Sequence, residues 1–179
     1  MRTITLGDKN FAEYITESEI VAAIDQIAEK INRDYRDDVP VVIVTLNGAI
    51  FFAVDLLQRL AIDVIVSCIR VNSYCGTETT CQIENLIGLK EDVAGKRVLI
   101  LEDIVDTGNT YQYIHELLTA KGAKDIAIAT MTYKPDSYQK NLPVDYPALT
   151  IPPKFIVGRG LDYDGLGRNY RDIYQILDK

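Results

Sequence analysis

The chain has 179 residues, 47% of them hydrophobic and 25% charged, enough apolar material for one substantial core and too little bias for a disordered or fibrous protein. Its formal net charge of −7, with no basic cluster to offset it, argues against nucleic acid as a partner. No apolar run approaches the roughly 18 to 20 residues of a membrane span, and residues 1–10 carry no basic-then-apolar leader, so a cytoplasmic location with no membrane partner is expected.

Thr16 and Glu19 have the spacing of a capping box, and Ile20, Ile24, Ile27 and Ile31 follow at helical intervals, which predicts an amphipathic helix from about residue 17. Pro40 closes that segment, and Val41 to Leu46 reads as a strand buried on both faces. A helix is expected over Ala49 to Leu60 and a strand over Ile62 to Val71, completing one βαβ unit. Asn72 to Cys81 is polar and long enough to act as a mobile arm, with a further strand at Gln82 to Leu86. Arg97 to Leu101 is a second apolar strand, followed by an acidic loop, a helix over Thr110 to Lys121 ended by Gly122, and a strand over Asp125 to Tyr133. Pro135 to Pro153 reads as a long, proline-punctuated connection able to fold over a site. The order predicts an α/β fold, a mostly parallel sheet flanked by helices, whose ligands bind beyond the carboxyl ends of the strands.

Cys68, Cys75 and Cys81 are odd in number and include no CxxC pair, so neither a zinc site nor a disulfide framework is expected. His115, the only histidine, falls inside the helix after the acidic loop and is assigned a structural part. Val157 to Gly160, Val-Gly-Arg-Gly, lacks the third glycine of a dinucleotide fingerprint.

The most informative stretch is VLILEDIVDTGNT, Val98 to Thr110: a buried strand, Glu102 and Asp103, then Asp106, then Thr107-Gly108-Asn109-Thr110 opening a helix. Free N–H groups at a helix start, the helix dipole and the two threonine hydroxyls suit a phosphate monoester, and Gly108 lets the backbone approach it. Glu102 and Asp103 can face a magnesium-bound sugar diphosphate, with Asp106 between the cradle and the reacting carbon. An isolated Asp-Thr-Gly would be an ordinary helix cap; the whole pattern carries the reading.

This stretch resembles the phosphoribosyl diphosphate signature of type I phosphoribosyltransferases, and the chain is similar to the hypoxanthine-guanine branch over nearly its whole length. The resemblance implies one domain, 1–179, with a small purine-binding hood from about residues 135–179, with or without the N-terminus. It implies that Leu46-Asn47-Gly48 is the diphosphate-binding loop, often built on a non-proline cis peptide, although Asn47 stands where lysine or arginine is common. Ser73 and Tyr74 resemble the flexible catalytic loop that closes over the reacting centre. Lys134 is similar to the lysine that reads the purine, donating to O6 of hypoxanthine or guanine and finding no acceptor on adenine. Phe155 would stack on the purine, Ile156 offer its backbone to the base edge, and Asp162, beside the purine, approach a second magnesium. Arg168 would meet the diphosphate, with Arg171 as competitor.

By the same resemblance Asp106 is the catalytic group that accepts the N7 proton, Mg2+ is the cofactor with Glu102, Asp103 and Asp162 as its ligands, and the assembly is a homodimer or homotetramer. The implied activity joins hypoxanthine or guanine to phosphoribosyl diphosphate. Alternatives are a xanthine- or adenine-directed phosphoribosyltransferase and a non-catalytic regulator of the same fold, for which a basic surface and decayed catalytic positions would be expected.

Overall fold

A computed structural model describes residues 2–74, 82–87 and 89–177, and the side chains of residues 72–74 and 82–87 are outside that description. The elements run β1 (Thr3–Leu6), β2 (Lys9–Ile15), α1 (Glu17–Asp34), β3 (Val41–Leu46), α2 (Ile50–Leu57), β4 (Ile65–Tyr74), β5 (Gln82–Ile87), β6 (Arg97–Val105), α3 (Asn109–Ala120), β7 (Asp125–Tyr133), β8 (Tyr146–Thr150), β9 (Ile156–Val157) and β10 (Ile173–Ile176). Among the described residues no helix is long and apolar enough to cross a membrane.

The larger sheet has six strands in the order β5-β4-β3-β6-β7-β8. Its neighbours pair parallel except β5, which lies antiparallel to β4. Strand alternation sends Val42, Val44, Leu99 and Leu101 to one face, where they meet Ile20, Ile24, Ile27 and Ile31 of α1 and Phe52 and Leu56 of α2. Val41, Ile43, Val98 and Ile100 face the other way onto Tyr111, Ile114 and Leu118 of α3. Fully burying each α1 isoleucine is worth about 1.5 to 3 kcal/mol, so this packing fixes the helix far more firmly than its propensity does. Its start is set by the expected capping box, with Thr16 N donating to Glu19 Oε2 at 2.8 Å and Glu19 N donating back to Thr16 Oγ1 at 3.4 Å.

Several boundaries differ from expectation. Helix α2 stops at Leu57, because Arg59 and Leu60 donate to the carbonyls of Leu56 and Leu57 three residues back, the pattern of a tightening turn. Strand β4 begins at Ile65, where Ile65 N donates to Pro40 O at 3.0 Å, and continues to Tyr74 because β5 pairs with it. Strand β6 runs on to Val105, so Glu102 and Asp103 belong to the strand and not to a loop. The connection after Lys134 contains a short 3-10 turn, Pro135–Ser137, and then β8. Pro147 is tolerated there because β8 is an edge strand and loses no ladder bond on its open side.

A second, antiparallel sheet has the order β1-β2-β10-β9 and buries Leu6, Phe11, Val157 and Tyr174. It sets strands from residues 3–15 beside strands from residues 156–176.

Candidate active site

The site residues lie along the carboxyl edge of β3, β6 and β7. At the end of β3 the Leu46–Asn47 peptide is cis. Asn47 is exposed and Gly48 buried. A Cβ on Gly48 would fall 1.7 Å from Asp103 Oδ2, so only glycine admits that carboxylate. The opposite wall is equally close: a Cβ on Gly160 would lie 2.0 Å from the Gly48 carbonyl oxygen.

Glu102 and Asp103 are neighbours on a strand and so project to opposite faces. Glu102 is buried on the α3 side, and its Oε1, like Thr45 Oγ1, has no hydrogen-bond partner. Burial, reinforced by the Asp103 charge, holds the Glu102 carboxyl well above the usual range. Asp103 is half-buried on the α2 side, where Ile104 N donates to its Oδ1 at 3.1 Å. Burial pushes Asp103 up to about 6, Arg168 pulls it down and Asp162 pushes it up, which places both side chains in its neighbourhood. Two carboxyls this reluctant to charge are suited to receive a cation.

From the end of β6 into α3, Ile104 to Tyr111 wrap a cavity of about 150 Å³ that Glu102 also lines. Gly108 sits at its turn in the left-handed region, φ +84°, as the N-cap of α3, with no side chain capping the helix start. The first N–H groups of α3 and the hydroxyls of Thr107 and Thr110 thus form a ready anion cradle. Gln139 N donates to Thr107 O at 3.2 Å, and Tyr138 and Lys140 lie so close over Gly108 that a Cβ would overlap both, at 2.4 and 2.8 Å. This cover comes from the Pro135 connection, the segment expected to fold over a site.

Asp106 and Lys134 meet directly, with Nζ donating to Oδ2 at 2.7 Å. Lys134 is buried and its backbone N–H is bonded to Val105 O at 3.0 Å, so the β6–β7 ladder extends to the residue itself. Asp162 and Arg168 form a second pair at 2.7 Å, with Arg168 Nη1 donating to Gly160 O at 2.6 Å and Gly165 N to Asp162 Oδ2 at 2.7 Å. Arg171 instead lies at the surface, 3.5 Å from Glu17, which favours Arg168 between the two candidates. Ile156 is buried in β9, while the Phe155 ring is half open to solvent and leans on Phe11 and Tyr163, with centroids 6.3 and 6.0 Å away.

Ser73 and Tyr74 end β4, but their side chains, and residues 75–81 of the arm with Cys75 and Cys81, lie outside the described residues. Cys68 is a free, half-buried thiol of β4. His115 stands edge-on to Tyr111 on α3, outside the cradle. Arg159 was not singled out by its sequence, where it reads only as part of a glycine-rich run; in the fold it is a buried cation.

A family model described as phosphoribosyl transferase domain matches residues 12–164. The chain is 37% identical to a hypoxanthine phosphoribosyltransferase of Escherichia coli (strain K12) over 83% of this chain and 85% of that protein. It is 31% identical to a hypoxanthine-guanine phosphoribosyltransferase of Streptococcus pyogenes serotype M3 over 88% of this chain and 87% of that one. The crystal structure of a hypoxanthine phosphoribosyltransferase from Staphylococcus aureus superposes with a TM-score of 0.87 at 31% identity, covering 92% of this chain and 90% of that one. The parallel sheet, the acidic strand end and the helix start after it all fall within the matched span, and the chain belongs to the phosphoribosyl transferase domain family.

Proposed function

We propose that the protein is a purine-salvage enzyme that transfers the 5-phosphoribosyl group from phosphoribosyl diphosphate to hypoxanthine or guanine, giving IMP or GMP and diphosphate. The observation that carries the reading is the Lys134–Asp106 pair at 2.7 Å beside the Thr107 to Thr110 cradle, since it sets a donor and an acceptor together next to a phosphate site. Hypoxanthine and guanine present a matching acceptor, O6, and a donor, N7–H, on one edge.

In this mechanism the 5′-phosphate rests on the N–H groups and hydroxyls of Thr107, Gly108, Asn109 and Thr110. Leu46, Asn47, Gly48 and Arg168 face the diphosphate. Phe155 stacks on the base, the Ile156 backbone meets its edge, and Lys134 donates to O6. As the bond from C1 of the ribose to diphosphate lengthens, positive charge grows on the sugar; Asp106, facing it, stabilises that charge and takes the N7 proton as the new C–N bond forms. Ser73 and Tyr74 belong to the arm that excludes water. One domain, 1–179, with the small sheet as its purine-side hood is part of this reading.

Glu102, Asp103 and Asp162 would hold magnesium. The unpartnered, buried Glu102 Oε1 and the Asp103 carboxyl raised to about 6 fit a cation, and both supply the oxygen ligands that magnesium prefers. Magnesium prefers oxygen ligands and keeps several waters, so it would bind mainly through substrate oxygens and water with only light help from these carboxylates. Bound magnesium would supply charge neutralisation for the departing diphosphate. A cytoplasmic homodimer or homotetramer completes the proposal; the exposed Ile50, Phe51 and Val54 on α2 are apolar surface that a second copy would cover.

The test is nucleotide formation from hypoxanthine, guanine, xanthine and adenine, each with phosphoribosyl diphosphate and magnesium. IMP and GMP should form, and excess chelator should stop both. Adenine as preferred base, or no product from any base, would overturn the assignment.

A further inference from the structure

We infer that Arg159 is a positioning residue for the diphosphate side of the site, holding the Leu46 to Gly48 loop and Arg168 at a fixed separation. The inference rests on the phosphoribosyltransferase reading and adds to it a residue outside the signature. Arg159 is only 7% exposed. Its Nε and Nη2 donate to Asp55 Oδ2 at 3.0 and 2.5 Å, and its Nη1 donates to Glu17 Oε1 at 3.1 Å and to the Arg171 carbonyl at 3.3 Å. One planar cation thereby joins the first turn of α1, the last turn of α2 and the segment entering β10.

The backbone at this position is equally constrained. Arg159 has φ +49°, in the left-handed region that non-glycine residues seldom enter, between Gly158 and Gly160 at φ +99° and +104°. Such a conformation persists where the surroundings over-determine it, and here Arg159 N donates to Tyr170 O at 2.8 Å and Gly160 N to Arg168 O at 2.9 Å. The next residue, Gly160, has its α-carbon against the Gly48 carbonyl, and its own carbonyl accepts from Arg168 Nη1 at 2.6 Å. Both groups assigned to the diphosphate therefore touch the residue adjoining the anchor. The far end of the anchor, Asp55, sits on the helix that begins two residues after Gly48.

A lysine keeps the charge but not the rigid fork that spans two carboxylates and a carbonyl. In Arg159→Lys the KM for phosphoribosyl diphosphate should rise roughly tenfold, as misplacement of binding groups requires, while the KM for hypoxanthine and kcat stay within about twofold. Asp55→Asn, which keeps an acceptor for the guanidinium, should shift the same constant in the same direction, and the double variant should be no worse than the more affected single one. A role confined to stability would lower the active fraction, and so apparent kcat, without moving either KM. Titration calorimetry of phosphoribosyl diphosphate with magnesium gives the same comparison without turnover. An unchanged KM for the donor, equal rises for donor and base, or loss of folded protein in both single variants would overturn the inference while leaving the parent activity intact. A parent protein that makes no nucleotide would overturn the underlying reading and this inference together.

Discussion

Lys134→Met separates the purine-reading role of Lys134 from its part in the fold. The lysine side chain is 8% exposed and its partner Asp106 is 42% exposed. Methionine replaces the buried stem, and Asp106 can be hydrated once the ammonium is gone, so the stability cost stays near the scale of a solvent-accessible pair, about 0 to 1 kcal/mol. The catalytic cost is larger. One charge-assisted hydrogen bond to O6 is worth about 1.5 to 3 kcal/mol, or roughly ten- to a hundredfold in kcat/KM. In the free protein the ammonium already holds Asp106 at 2.7 Å, so purine binding exchanges partners and the loss should fall at the lower end, about tenfold. The assay is steady-state kinetics with hypoxanthine, guanine and adenine at saturating donor, beside a thermal melt. Adenine should gain relative to hypoxanthine, because the variant no longer sets an ammonium against its amino group. Unchanged constants for hypoxanthine and guanine, or a rise in the donor KM as large as that for the bases, would refute the reasoning.

Asp106→Asn should leave donor affinity within about twofold and lower kcat by roughly ten- to a thousandfold, the range of a general base; full turnover at saturation would remove Asp106 from proton transfer. Gly48→Ala places a methyl group 1.7 Å from Asp103 Oδ2, so loop or carboxylate must move, and activity should fall about a hundredfold with little change in folding. Parent-like donor kinetics would show that the close approach has no functional weight. Burial pushes Asp103 from 3.8 up to about 6, so the folded protein binds that proton more tightly than the unfolded chain does. Its stabilisation is complete below the unfolded value and is lost as pH rises from about 3.8 through about 6. Metal-free protein should lose melting temperature across that window, and Asp103→Asn should flatten the loss; identical profiles would refute the burial argument.

The parts legible in sequence are those fixed by local chemistry. Thr16 and Glu19 announce the start of α1, Val41 to Leu46 coincides with β3, Asp125 to Tyr133 with β7, and Gly122 ends α3 at φ +77°. Strand β8 was hidden because Pro147 inside it resembles part of a connection unless its place at the sheet edge is known. Neither β1 nor β2 could be read, since each needs the partner strands of the small sheet. Within the site, the acidic run and its helix start were legible as a unit, but their facing was not: Glu102 and Asp103 diverge only because β6 continues through them. The Lys134–Asp106 pair spans 28 residues and Arg159–Asp55 spans 104, separations at which no spacing rule operates.

The small sheet also has a consequence for the order in which the protein can be built. A nascent chain releases β1 and β2 before the other described strands, yet their partner β10 is the last of these made, and the Tyr163–Asp8 hydrogen bond joins residues 155 apart. Strands β3 to β8 can pair while the early hairpin still waits, because β2 meets β10 only through a pairing of residues 11–15 with residues 173–176. Phe155, which leans on Phe11, therefore gains its seat late. A partly folded chain would hold a finished phosphate cradle beside an unfinished base platform, and phosphate affinity should emerge during refolding before purine affinity does.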